Sequence, residues 1–160
     1  MNIKIISLLW CMASLQTIVA QKIGEQVPEI LLTNTKDSAV SLQSLKGKVV
    51  ILDFWATWCG PCLQANKTLS KIYKKYQPQG LEIYAVSLDA DKIKWSKFVK
   101  SQNWNWVQVI DAGIWSAPTA VNWGIDRLPT TFLIDKKGVL RYYNLHGTTF
   151  TNVIEMLLKE

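Results

Sequence analysis

Apolar residues fall along this chain in short runs separated by stretches of helical spacing. The densest run, Val49-Val50-Ile51-Leu52-Asp53-Phe54-Trp55, follows Gly47 and predicts a buried strand over about 48–55. Before it, Glu29-Ile30-Leu31-Leu32 and Ala39-Val40-Ser41-Leu42 flank the turn-like segment 34–38, which predicts an N-terminal hairpin. After it, Leu69, Ile72, Tyr73 and Tyr76 share one face of a predicted helix that has Pro61 in its first turn, runs to about Tyr76 and is ended by Pro78 and Gly80. Leu81–Leu88 and Trp106–Ile110 read as strands, and 91–101 as a helix with Ile93, Phe98 and Val99 inward. Residues 114–123 read as a short Trp-bearing helix or loop interrupted by Pro118. Thr130–Ile134 and Val139–Leu145 flank the turn Asp135-Lys136-Lys137-Gly138 and predict a hairpin. A closing helix over 149–159 would turn Val153, Ile154, Leu157 and Leu158 inward. This order predicts an α/β domain with a mixed sheet flanked by helices.

The first twenty residues follow another pattern. Lys4 is their only charged side chain, an apolar stretch begins at Ile5, and the segment closes Ile18-Val19-Ala20 before Gln21. A positive start, an apolar middle and a small residue at the end predict a secretory leader over 1–20, ahead of one domain over 21–160. The apolar part is short for a membrane span of roughly 20 residues, yet an uncleaved membrane anchor is the alternative. Cys11 would leave with the leader; Trp10 before it does not fit a lipoprotein processing site, which wants a small residue there. The expectation is therefore a periplasmic or otherwise exported protein. A chain of 160 residues with 49% hydrophobic and 19% charged residues can bury a core without disulfide staples. The net charge of +6 is spread among acidic residues, so no nucleic-acid footprint is expected.

Chemistry concentrates in Trp58-Cys59-Gly60-Pro61-Cys62, at the junction of the buried strand and its helix. Two cysteines two residues apart can close a disulfide or open to a dithiol. A strand feeding a helix puts Cys59 at the helix N-terminus, where free N–H groups and the helix dipole favour a thiolate. The thiolate is the attacking species in thiol–disulfide exchange. A structural disulfide or half of a zinc site are the alternatives. Zinc wants about four ligands, and the mature chain offers these two thiols and His146, so the ligand count favours redox chemistry. Asp53 stands out because aspartate is depleted in strands and costly to bury ionised. It is expected on the buried strand beneath the cysteines with a raised pKa, taking the proton of Cys62; the alternative is a strand-end aspartate bonded to a turn. Trp55 could be core or rim. Trp95, Trp104, Trp106, Trp115 and Trp123 are dense for so short a segment and are read, each by itself, as packing rather than partner contacts. His146 is expected to be structural or exposed.

These residues carry a resemblance. Leu52-Asp53-Phe54-Trp55-Ala56-Thr57-Trp58-Cys59-Gly60-Pro61-Cys62 resembles the active-site signature of thioredoxin, and Leu128-Pro129-Thr130-Thr131-Phe132-Leu133-Ile134-Asp135 the proline loop of that superfamily. With the leader, the N-terminal hairpin and a long central insertion between Asp89 and Leu128, the whole mature chain is similar to the TlpA/ResA-like thiol–disulfide oxidoreductases. The resemblance implies a thioredoxin-like fold, Cys59 as nucleophile, Cys62 as resolving thiol, and a cis Pro129. Trp58, Gly60, Pro61, Leu128 and Pro129 would form the substrate-docking surface. It implies no metal or organic cofactor beyond the Cys59–Cys62 couple. Gly-Pro between the cysteines resembles the reducing end of a range spanning about 150 mV, roughly 7 kcal/mol for two electrons.

The implied partners are cysteine-containing exported proteins, an apocytochrome c before haem attachment among them, and a membrane or periplasmic thiol reductant. Oxidase or isomerase chemistry, and a non-enzymatic thiol-binding module or chaperone, are the competing functions. A peroxidase fits poorly, because Leu52 stands where its proline and Ala56 where its threonine is expected. The sequence also departs from the family: a glutamate common three residues after the second cysteine is Ala65 here, a proline two further on is Lys67, and no lysine lies in 81–88 to pair with Asp53.

Overall fold

A computed structural model describes residues 21–160. The leader or anchor expected over 1–20 lies outside the described residues. The strands are β1 (Leu31–Asn34), β2 (Ala39–Ser41), β3 (Val49–Trp55), β4 (Leu81–Ser87), β5 (Val107–Ile110), β6 (Thr130–Ile134) and β7 (Leu140–Tyr143). The helices are α1 (Gly60–Tyr76), α2 (Lys92–Gln102), α3 (Pro118–Asn122) and α4 (Gly147–Lys159). One mixed sheet runs β2-β1-β5-β4-β3-β6-β7. The strands β3, β4 and β5 are mutually parallel, and the remaining pairs are antiparallel.

Burial follows from this order. β3 has a neighbour on each edge and cover on each face, so all seven of its residues are buried. That is why its sequence is a nearly continuous apolar run rather than an alternating one. The predicted hairpin at the N-terminus forms and extends the sheet past β5, pairing Thr33 with Ile110. Tyr84 fixes it there, its hydroxyl donating to the Val40 carbonyl at 2.8 Å.

The two faces carry separate cores. One holds Val49, Ile51, Trp55, Ile83 and Ala85 under α1, α2 and α4, with Leu69, Ile72, Tyr76, Trp95, Ile154 and Leu157 packed down on them. The other holds Leu52, Phe54, Tyr84, Val86 and Val109 under Leu42, Leu45, Ala120 and Trp123. The period-2 alternation of strands assigns Asp53 to the α1 face.

Several expectations are corrected. On α2, Ile93 is exposed, and Trp95 takes the inner place with Val99. Two apolar residues two apart cannot both face inward on a helix, and the larger one gains more from burial. Pro118 does not interrupt a helix but opens α3, as a residue lacking an N–H can. The strand expected over Trp106–Ile110 is borne out as β5, which the central insertion contributes to the sheet, and the insertion also carries a 3-10 turn, Ile114–Ser116. Trp55 is core. The last strand is shorter than expected and ends at Tyr143.

Candidate active site

Strand β3 and helix α1 meet at residues 56–59. Thr57 is held by Asp89, a buried residue just beyond β4: its amide donates to one carboxylate oxygen at 2.9 Å and its hydroxyl to the other at 2.6 Å. The Ser87 hydroxyl also donates to Asp89 at 2.6 Å. This clamp fixes the loop that delivers Cys59. Sequence reasoning missed it. The available signal was an acid at the carboxyl end of a parallel strand, where open α/β sheets place their sites.

Cys59 is the N-cap of α1 and is joined to Cys62 in a disulfide with S–S 2.00 Å. Its Sγ accepts a hydrogen bond from the Cys62 amide at 3.2 Å. That donor is one of the unpaired N–H groups of the first helical turn, so the helix end itself addresses this sulfur. The two cysteines differ in access: Cys59 is 7% exposed and Cys62 is 1% exposed. Gly60 and Pro61 bridge them on the surface, with Pro61 in the first turn of α1. Trp58 is exposed beside them.

Asp53 is fully buried on the α1 face, opposite Ala85 of β4 and Thr131 of β6. Its Oδ1 has no hydrogen-bond partner among the described residues. Burial alone pushes its pKa up to about 7. A carboxyl in that range can give or take a proton near neutrality.

The Leu128–Pro129 peptide bond is cis. Pro129 and Leu128 are half-buried just ahead of β6, the neighbour of β3, so they border the same end of the sheet as Cys59. Pro129 also lines a cavity of about 230 Å³ with Ala65, Leu69, Phe150 and the exposed His146. Ala65, where the family resemblance leads one to expect a glutamate, contributes only a methyl to that wall. Lys67 is exposed on the outer side of α1.

The tryptophans divide. Trp104 stacks on Trp106 at 5.2 Å and stands edge-on to Trp55 at 5.3 Å, and Trp123 packs edge-on against Phe132 at 4.9 Å. Trp95 is buried outright. These match the packing expectation. Trp115 does not: it is exposed and meets Trp58 in a T-shaped pair at 6.2 Å. Among the described residues no three His, Cys, Asp or Glu side chains come together as metal ligands, and no helix is long and apolar enough to cross a membrane.

Comparison with known proteins agrees with this geometry. The profile of the AhpC/TSA family matches residues 23–143. The chain is 37% identical over 117 residues to the thiol-disulfide oxidoreductase ResA of Bacillus cereus, covering 73% of this chain and 66% of that protein. It is 35% identical over 141 residues to ResA of Geobacillus kaustophilus, covering 88% and 78% respectively. Among solved structures, the thioredoxin domain of a thiol-disulfide oxidoreductase from Bacteroides vulgatus superposes with a TM-score of 0.77 at 28% identity, covering 87% of this chain and 99% of that one.

Proposed function

The chain belongs to the AhpC/TSA family, among its thioredoxin-like thiol–disulfide oxidoreductases, and from that premise we propose that it is an exported reductase of protein disulfides. The observation that carries the reading is the unequal access of two bonded sulfurs at one helix N-terminus: Cys59 is open enough to be attacked or to attack, and Cys62 is not.

In the reduced chain, the Cys59 thiolate attacks one sulfur of a substrate disulfide. A mixed disulfide forms, and the first substrate thiolate leaves and takes up a proton from solvent. Asp53, ionised, accepts the proton of the Cys62 thiol. The Cys62 thiolate then attacks the Cys59 sulfur, the mixed disulfide breaks, and the second substrate thiolate leaves and is protonated. Two electrons and two protons have passed to the substrate, and Cys59–Cys62 is a disulfide again. The exchange runs on these two sulfurs without a metal or organic cofactor. Trp58, Gly60, Pro61, Leu128 and Pro129 form the surface on which the substrate docks. The backbone of Leu128 is placed to pair with an extended substrate segment as a short added strand.

Export rests on the leader-like residues 1–20. The substrates are cysteine-bearing exported proteins, and an apocytochrome c awaiting haem attachment is the specific candidate. Electrons return from a membrane or periplasmic thiol donor. Reduction rather than oxidation rests on Gly60-Pro61 between the cysteines.

Two experiments test this. Equilibrating the chain with a glutathione redox buffer gives its poise; a couple more reducing than glutathione is expected, and one more oxidising would make it a disulfide donor. Expressing Cys62→Ser in the living host should accumulate mixed disulfides through Cys59 to exported proteins. Retention of a partner without turnover by the native chain would mark a binding module instead.

A further inference from the structure

We propose that Trp115, with Trp58, forms a fixed apolar wall beside Cys59, and that this wall selects substrates carrying an aromatic or aliphatic residue next to the reacting cysteine. The inference rests on the reading of the chain as a disulfide reductase and names the substrate feature that it prefers.

Both rings are open to solvent: Trp58 is 53% exposed and Trp115 is 45% exposed, and they meet at 6.2 Å with planes at 68°. They come from distant parts of the chain, one from the loop before α1 and one from the turn Ile114–Ser116. That turn is built against local preference. Ile114 has φ 55°, a left-handed conformation that β-branched residues rarely adopt. The strain does not serve to bury Ile114, which is itself exposed.

The turn is nonetheless pinned on both sides. Gly113 has φ 143°, and a Cβ there would lie 3.0 Å from the Ala117 nitrogen, so only glycine fits. Behind it, Ala117 is buried, and the Asp111 carboxylate accepts from both the amide and the hydroxyl of Thr119 at 2.7 and 2.6 Å. A strained, firmly held turn that displays Trp115 and Ile114 to solvent has no account in core packing. Such breaches of local preference concentrate at functional sites.

The chemistry at Cys59 fixes the occupant. A substrate sulfur bonded to Cys59 brings its own flanking residues along, about 3.8 Å apart at each Cα. Trp58 adjoins Cys59 in sequence, so residues on one side of the substrate cysteine come within reach of Trp58 and its partner Trp115. Exposed tryptophan at such a place is the side chain most often found to dominate an interface.

The test measures kcat/KM of the full reduced chain on two disulfide-linked peptides of equal length and charge. One has Leu and Phe beside its cysteine, and the other has Gly and Ser. The native chain is expected to prefer the first by at least about fivefold, the loss above which an interface residue counts as energetically significant. Trp115→Ala should bring that ratio close to one through KM, and Trp115→Phe should restore most of it. Because the readout is a ratio within each variant, a general loss of folded protein does not move it. A native ratio near one, or a ratio unmoved by Trp115→Ala, overturns the wall. A native chain that reduces neither peptide, nor hydroxyethyl disulfide, overturns the reductase reading and the wall with it.

Discussion

Each face of the sheet carries its own buried core, yet the two treat polar atoms differently. On the α1 face, Asp53 Oδ1, Asn66 Nδ2, both side-chain polar atoms of Gln108, and the indole nitrogens of Trp55, Trp95 and Trp106 are buried without a hydrogen-bond partner among the described residues. No such atom of the described residues lies on the opposite face. There, the buried hydroxyls are satisfied: Tyr84 donates to the Val40 carbonyl at 2.8 Å and Thr130 to the Arg127 carbonyl at 2.9 Å. A buried polar group without a partner typically costs about 1–3 kcal/mol, so the α1 face gives up stability that the other face keeps. That is also the face beneath the disulfide. The difference teaches where the fold serves its own stability and where it serves reactivity.

The largest effects should come from the reacting sulfurs. Cys59→Ser should lower disulfide reduction to the uncatalysed background in an insulin-type turbidity assay, because no second nucleophile is in reach. Cys62→Ser should form the mixed disulfide once and stop, seen as a mass adduct that persists. Full turnover by Cys62→Ser would show that Cys62 does not resolve it.

Asp53 sharpens the contrast through pH. Its carboxyl titrates near 3.8 when unfolded and near 7 in the fold, so between those values the native state binds more protons. The contribution of Asp53 to stability is therefore fully present below about pH 4, falls as pH rises to about 7, and then levels off. Each pKa unit is worth about 1.4 kcal/mol, giving a total decline of roughly 4 kcal/mol. Asp53→Asn should remove that decline in urea melts from pH 4.5 to 8. It should also remove the rise with pH, through about 7, in the rate at which Cys62 attacks a preformed mixed disulfide.

The opposite face provides the control. Leu52→Ala, fully buried beside Asp53 in sequence but on the other side, should cost about 2–5 kcal/mol in the same melts. It should leave the pH dependence unchanged. The smallest expected effect is Gln108→Leu. Removing two buried, unpartnered polar atoms should raise stability by about 1 kcal/mol; a loss instead would show that Gln108 has a partner that matters.

Legibility in the sequence tracked how local each signal is. The β3 run, the Cys59–Cys62 spacing and Pro129 lie within short, dense segments, and each landed where expected. Asp53 was visible because it is the one acid in the seven-residue, otherwise apolar run of β3. The Asp89 and Asp111 clamps were not visible, since each depends on a partner that the loops bring near only after folding. The tryptophans could not be sorted by composition. Trp95 and Trp115 are the same residue type in one segment, yet the phase of α2 buries one and the strained turn at Ile114 displays the other. Ile93 was misplaced for the same reason: eleven residues of helix tolerate two inward phases until the sheet beneath selects one.

The most direct measurement is the alkylation of the fully reduced chain by iodoacetamide from pH 5 to 9, with each cysteine followed by peptide mass. The proposed chemistry predicts that Cys59 reacts quickly already below pH 7, while Cys62 lags far behind across the range. Two thiols that react alike, or a Cys59 that becomes reactive only above pH 8 as a free cysteine does, would contradict it.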